Sequence, residues 1–172
     1  TILRLLEATS GKILFKGNPT PVEGTWPKVD APAPNFTIYD LDDNAMTLDS
    51  LKGQTLLIST FPNIDTSVCD RQTRRFYELA SEIKDVKILN LSNNAKENLS
   101  SWCATNGIDA LMVRDADQTF AQSYGIWLPE INHLARATFV IDKNGQLVYS
   151  ELVPEVATEP NYDAAIAAAH KA

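Results

Sequence analysis

Two cysteines, Cys69 and Cys103, are the residues of this chain best suited to nucleophilic or redox chemistry. Cys69 follows the strand-like run Leu56 to Phe61 and stands at the mouth of a helical pattern. A sulfur in the first turn of a helix faces unpaired backbone N–H groups and the positive end of the helix dipole, a setting that favours thiolate over thiol. An ordinary thiol, with a pKa of about 8.5, is only about 3% ionised at neutral pH, so its reactivity depends on its surroundings. Thr66, three residues earlier, carries a hydroxyl within reach of the sulfur or of a sulfur-bound oxygen, and its alternative role is to cap the helix. Pro62 lacks an N–H and ends the strand, and its functional role would be to shield and shape a pocket. The spacing is Pro-x-x-x-Thr-x-x-Cys.

Cys103 lies 34 positions after Cys69. Two cysteines permit one intramolecular disulfide, and closing a loop of about 35 residues would contribute about 3.8 kcal/mol in the chain-entropy picture. A purely structural bond is therefore one reading, and a buried, inert Cys103 is another. Arg71, Arg74 and Arg75 are the nearest approach to a basic patch and read as a solvated helix face. Trp102 and Trp127 read as packing residues. His133 and His170 are isolated from any matching ligand spacing, so no metal site is expected. With no Gly-rich phosphate loop and no serine nucleophile elbow, the chain is expected to need no cofactor.

The elements that would position these residues alternate along the chain. Ile13 to Lys16 and Thr20 to Val22 flank Gly17-Asn18-Pro19 as a hairpin, and Trp26 to Pro34 reads as a connecting loop. Phe36 to Leu41 alternates as a strand, and Leu56 to Phe61 is a central strand buried on both faces. Val68, Phe76, Leu79, Ala80 and Ile83 recur at helical spacing and predict the core face of the helix that Cys69 opens. A strand over Val86 to Leu91 precedes a helix over Lys96 to Thr105, which has Cys103 in its last turn and Asn106-Gly107 as its stop. A short strand at Leu111 to Val113 and a helix at Thr119 to Tyr124 follow. Asp142-Lys143-Asn144-Gly145 joins Ala137–Ile141 to Gln146–Ser150 as a hairpin, and an Ala-rich helix runs from Asn161 to Lys171. With one cysteine opening a helix and the other ending one, a bond between them would require local unwinding.

The 172 residues, 44% of them hydrophobic, suit one domain over 1–172, with 1–12 as an irregular extension. A net charge of -7 disfavours nucleic acid and anionic membranes as partners. No apolar run reaches the length of a membrane-spanning helix. Thr1 to Leu6 is a poor secretory signal. A cytoplasmic location is expected, and the same residues are compatible with a periplasmic one if a signal has been removed.

At Pro62, Thr66 and Cys69 the chain resembles the peroxiredoxins. The longer string Phe61-Pro62-Asn63-Ile64-Asp65-Thr66-Ser67-Val68-Cys69 is similar to the thiol peroxidase branch, the bacterial atypical two-cysteine peroxiredoxins, with Asn63 where a serine is usual. Phe15 to Pro19, Leu134 to Asp142 and Val153 to Asp163 agree, so the resemblance runs from about Ile13 to Ala172. It implies a thioredoxin-like α/β fold, a central mixed sheet flanked by helices, with an N-terminal β-hairpin. It also implies a homodimer and a peroxidase acting on hydrogen peroxide and organic hydroperoxides. By resemblance, Cys69 is peroxidatic and becomes a sulfenic acid, Cys103 resolves it as a disulfide, Thr66 and Arg136 support the transition state, and thioredoxin is the reductant. A thioredoxin-type exchanger is disfavoured because Cys69-Asp70-Arg71-Gln72 lacks a second cysteine. A binding domain stapled by a structural disulfide is the non-enzymatic alternative.

Overall fold

A computed structural model describes residues 12–172. Of the extension expected over 1–12, only Lys12 falls within the described residues, and it opens the first strand. That strand, β1 (Lys12–Phe15), pairs antiparallel with β2 (Asn18–Pro21), as the Gly17-Asn18-Pro19 signal predicts. The hairpin is fastened to the C-terminal segment: Leu14 N–H donates to Pro154 O at 2.7 Å and Val156 N–H to Leu14 O at 2.8 Å. The Glu155 carboxylate accepts from the N–H groups of Lys16 and Gly17.

Among the described residues the main sheet has eight strands. In chain order they are β3 (Ala31–Pro32), β4 (Thr37–Tyr39), β5 (Ala45–Thr47), β6 (Thr55–Thr60), β7 (Val86–Ser92), β8 (Met112–Arg114), β11 (Ala137–Ile141) and β12 (Gln146–Leu152). Two short strands outside it, β9 (Trp127–Leu128) and β10 (His133–Leu134), pair with each other. Across the sheet the order is β3-β12-β11-β6-β7-β8-β4-β5. β6 runs parallel to β7 and antiparallel to β11, so the sheet is mixed.

Every residue of β6 is buried, which is why its sequence is continuously apolar or small. Its side chains alternate between two cores. Leu56 and Ile58 join a cluster with Leu89, Phe120, Tyr124 and Phe139, and Leu57 joins Phe76, Val140, Ala165 and Ala169 on the other face. Among the described residues, four α-helices flank the sheet: α1 (Ser67–Leu79), α2 (Lys96–Asn106), α3 (Thr119–Ser123) and α4 (Tyr162–Lys171). This mixed α/β architecture is the expected thioredoxin-like one.

Two sequence expectations are corrected. The stretch Trp26 to Pro34 is not wholly a loop: Ala31 and Pro32 form an edge strand on β12, a position where proline is tolerated, with Asp30 and Ala33 supplying the flanking N–H donors. The core face of α1 is Cys69, Gln72, Thr73, Phe76 and Leu79, whereas Val68 is only half-buried and Ala80 is exposed. Hydrophobic periodicity missed Gln72 and Thr73 because their polar atoms are satisfied inside the core, Thr73 by donating to Cys69 O at 2.9 Å.

At one crossing the backbone leaves no room for a side chain. Gly24 (φ +109) and Gly125 (φ +67) lie where the segment before Trp26 passes the turn after α3. A Cβ on Gly24 would stand 2.6 Å from Gln122 O, and one on Gly125 would stand 2.6 Å from Trp26 N.

Candidate active site

β6 delivers the chain to the loop that carries the candidate residues. Phe61 N–H donates to Leu91 O at 3.1 Å, and Pro62 follows, buried. The next turn is held by two asparagines. Asn63 Oδ1 accepts from Asp65 N–H and from Asn94 Nδ2, both at 3.0 Å, and Asn94 Oδ1 accepts from Ile64 N–H at 3.0 Å. Asn63, the one departure from the family string, thus ties the loop to the end of β7.

Thr66 occupies the N-cap position of α1 with an extended backbone, and its carbonyl accepts from Asp70 N–H at 3.0 Å. Its hydroxyl neither caps the helix nor bonds the sulfur, but donates to Asn63 O at 2.9 Å. Cys69 is the third residue of α1 and fully buried, packed with Phe61, Ile64, Leu99, Trp102 and Met112. Its sulfur therefore sits among apolar side chains at the positive end of a helix.

Arg136 completes the site. It precedes β11 and is 2% exposed. Its Nε donates to Val156 O at 2.9 Å, its Nη1 to Gln72 Oε1 at 2.5 Å, and its Nη2 to Cys69 Sγ at 3.4 Å. None of these partners is a carboxylate. A buried guanidinium of this kind is best complemented by negative charge at the sulfur or on an oxygen bound near it. The backbone around it is fixed as well: Thr60 Oγ1 donates to Ala135 O at 2.8 Å and accepts from Ala137 N–H, and Val153 N–H donates to Arg136 O. Since Val156 is bonded to Leu14 of β1, the N-terminal hairpin bears on the arginine through two hydrogen bonds.

Gln72 was absent from the candidates drawn from sequence. Fully buried, it donates through Nε2 to Ser59 Oγ at 2.6 Å and Thr60 O at 3.0 Å while its Oε1 receives Arg136. An amide three residues after Cys69, on the same helix face, was the readable signal.

Cys103 lies in the last turn of α2, as expected, followed by the left-handed Gly107 (φ 62). It is half-exposed and packs against the same apolar cluster as Cys69. Burial pushes its thiol up from the ordinary value. Both cysteines are free thiols.

Side chains next to the cysteines join the two helices. Asp70 Oδ1 accepts from Trp102 Nε1 at 2.7 Å and Oδ2 from Arg74 Nε at 2.8 Å. Arg74 lies 5.6 Å from the Trp102 ring centre and donates through Nη2 to Asn106 Oδ1, and Asn106 Nδ2 donates to Trp102 O at 2.8 Å. Arg71 and Arg75 face outward onto Glu159 and Glu78. Arg74 is thus the member of the triplet that departs from the solvated-face reading.

A buried cysteine at a helix start, faced by a buried guanidinium on a thioredoxin-like sheet, defines a thiol-based redox protein. The comparisons agree. The Redoxin family profile matches residues 28–166. A thiol peroxidase of Listeria innocua is 42% identical over 163 residues, covering 94% of this chain and 99% of its own length. One of Bacillus subtilis is 39% identical over 160 residues, covering 92% and 96%. Among solved structures, a peroxiredoxin-like protein from Aquifex aeolicus superposes with a TM-score of 0.87 at 29% identity, covering 94% of this chain and 97% of that one. The chain belongs to the Redoxin family and is a peroxiredoxin-type peroxidase of the thiol peroxidase group.

Proposed function

We propose that the protein reduces hydrogen peroxide and organic hydroperoxides through a Cys69 sulfenic acid, resolved by Cys103 as an intramolecular disulfide and recycled by thioredoxin. The observation that carries this reading is the 3.4 Å contact from Arg136 Nη2 to Cys69 Sγ inside a fully buried site. The Cys69 thiolate attacks the terminal oxygen of the peroxide, the O–O bond breaks, and water or an alcohol leaves. Negative charge builds on both oxygens in that displacement. Donors fixed beforehand stabilise it, and a planar guanidinium held by Val156 and Gln72 needs little reorganisation to supply them.

Pro62, buried beside the loop, excludes water from the sulfur. Thr66 contributes from the N-cap, and its hydroxyl must turn from Asn63 O to reach a sulfur-bound oxygen. Cys103 then attacks the sulfenic sulfur and water leaves. The chain acts as one domain, a reading supported by the Redoxin match over most of its length. Homodimer formation and a cytoplasmic location belong to the same proposal. The cation facing Cys69 favours the peroxidase over a stapled binding domain, which has no use for it.

The test is to count thiols by mass before and after one equivalent of hydrogen peroxide. Loss of two hydrogens, mapped to Cys69 and Cys103 and reversed by thioredoxin, is expected. A Cys103→Ser variant should consume one equivalent and stall. Thiols unchanged after minutes, or full multi-turnover activity of that variant with thioredoxin, would overturn the mechanism.

A further inference from the structure

Asp70 adjoins Cys69 and Trp102 adjoins Cys103, and a polar link between α1 and α2 runs through these neighbours. We infer that Asp70, Arg74, Trp102 and Asn106 form a clamp between the two cysteine-bearing helices, and that its release sets how fast Cys103 reaches the Cys69 sulfenic acid. The inference rests on the reading of Cys103 as the resolving thiol.

The clamp is a closed circuit. Both oxygens of the Asp70 carboxylate are engaged, one by the Trp102 indole at 2.7 Å and the other by Arg74 Nε at 2.8 Å. Arg74 reaches past the Trp102 ring to Asn106 Oδ1, and Asn106 returns to Trp102 O. Asn106 is the last residue of α2, and the N–H groups of Gly107 and Ile108 beyond it bond Cys103 O. The turn that carries Cys103 is therefore held from one side by the clamp and from the other by its own cap. Each cysteine is also engaged, Cys69 Sγ with Arg136 Nη2 and Cys103 with the apolar cluster it packs against. A sulfur–sulfur bond replaces these contacts for at least one of them.

The clamp is the weak point of that assembly. The Arg136–Gln72 network is fully buried, but the side chains of Asp70 and Arg74 are 30% and 41% exposed. A groove of about 220 Å³ lined by Asp65, Asn98, Trp102, Thr105 and Asn106 runs along its outer side. Water there competes for the charges and screens them, so this link opens before the buried one. When it opens, Cys103 attacks the sulfenic sulfur of Cys69. The S–S bond forms, the S–O bond breaks, and the hydroxyl leaves as water with the Cys103 proton. While it stays closed, a second peroxide can oxidise the sulfenic acid to sulfinic acid, releasing water or an alcohol. The clamp thus partitions Cys69 between resolution and overoxidation.

Trp102→Phe keeps an aromatic ring and removes the indole donor, and Asn106→Ala independently severs the links to Arg74 and Trp102 O. Each variant is mixed rapidly with one equivalent of hydrogen peroxide, quenched by alkylation, and followed by intact mass. Conversion of sulfenic acid to disulfide is expected to run about tenfold faster than in the unaltered protein, equivalent to about 1.4 kcal/mol. The sulfinic fraction at excess peroxide should fall with it. Equal or slower conversion in both variants overturns the clamp. So does a Trp102→Phe/Cys103→Ser protein that forms sulfinic acid at a rate different from Cys103→Ser alone, because Trp102 would then act on Cys69 itself. An unaltered protein that forms no Cys69–Cys103 bond overturns the resolving reading and the clamp together, whereas a bond formed at a rate the variants share overturns the clamp alone.

Discussion

Gln72 and Arg136 share a 2.5 Å hydrogen bond in the buried space beneath Cys69, and the same guanidinium touches the sulfur. One amide therefore fixes the direction from which the cation meets the reacting atom. Its other end is bonded to Ser59 and Thr60, so the orientation is inherited from the central strand β6.

Replacing Gln72 by Ala should free the guanidinium to rotate and slow Cys69 oxidation by peroxide by on the order of 10²-fold. Gln72→Glu retains an acceptor but gives the guanidinium a carboxylate partner and leaves Thr60 O without its donor, so it should stay slow as well. The measurement is the single-turnover rate of sulfenic acid formation. An Ala variant that oxidises as fast as the unaltered protein per folded molecule would argue that Gln72 only supports the fold.

Arg136→Lys keeps the charge but loses the planar fork, which cannot then serve Val156, Gln72 and the sulfur together. Peroxide oxidation of Cys69 should slow by on the order of 10²-fold. Stopped-flow kinetics at several peroxide concentrations would show it as a lower second-order rate constant. An unchanged constant would remove the guanidinium from the transition state.

The raised Cys103 thiol gives the resolution step a pH dependence. The folded last turn of α2 binds this proton more tightly than the opened chain does. Its stabilising contribution is complete below the ordinary thiol pKa of about 8.5 and fades as pH rises through the raised value. Alkali both loosens the turn and ionises the attacking thiol, so disulfide formation from the sulfenic acid should accelerate steadily above about pH 8. A rate that is flat or falls over that range would contradict the assignment.

Asp115 provides a stability test remote from the sulfur. Its buried carboxylate accepts from Phe120 N–H at 3.1 Å and Ala121 N–H at 2.8 Å, donors at the start of α3 that lack partners within the helix. Asp115→Ala should cost about 1–3 kcal/mol in urea unfolding and leave peroxide turnover per folded molecule intact. A loss below about 0.5 kcal/mol would mean that these N–H groups find other partners.

The sequence was most legible where one physical rule acted alone. The fully apolar β6, the Asp142–Gly145 hairpin and the Gly107 stop of α2 follow from burial and backbone conformation and appear where expected, within a residue or two. Cys69 at a helix start and Arg136 before a strand were legible as positions, and the structure brings these two together. The resemblance supplied the roles that position alone could not.

The rest was hidden because it depends on distant polar pairs. Gln72 reads as a surface residue until Ser59 and Arg136 are placed around it. Trp102 reads as packing until Asp70 is found across the gap between helices. Ala31 and Pro32 pair with β12 by backbone atoms, to which side-chain periodicity is blind. Thr66 was correctly placed at the N-cap, but its hydroxyl bonds Asn63 O, a choice made by the loop rather than the helix.

The crossing at Gly24 and Gly125 bears on how this protein can vary. Each glycine has a positive φ and a space already filled by the other segment's backbone, so even alanine would force the two segments apart. A survey of every single substitution would find these positions as intolerant as the cysteines, although they make no hydrogen bond to the sulfur or to Arg136. Mutational intolerance alone would therefore draw the boundary of the active site too wide, and only a chemical readout on Cys69 would separate the residues that react from those that let two loops pass.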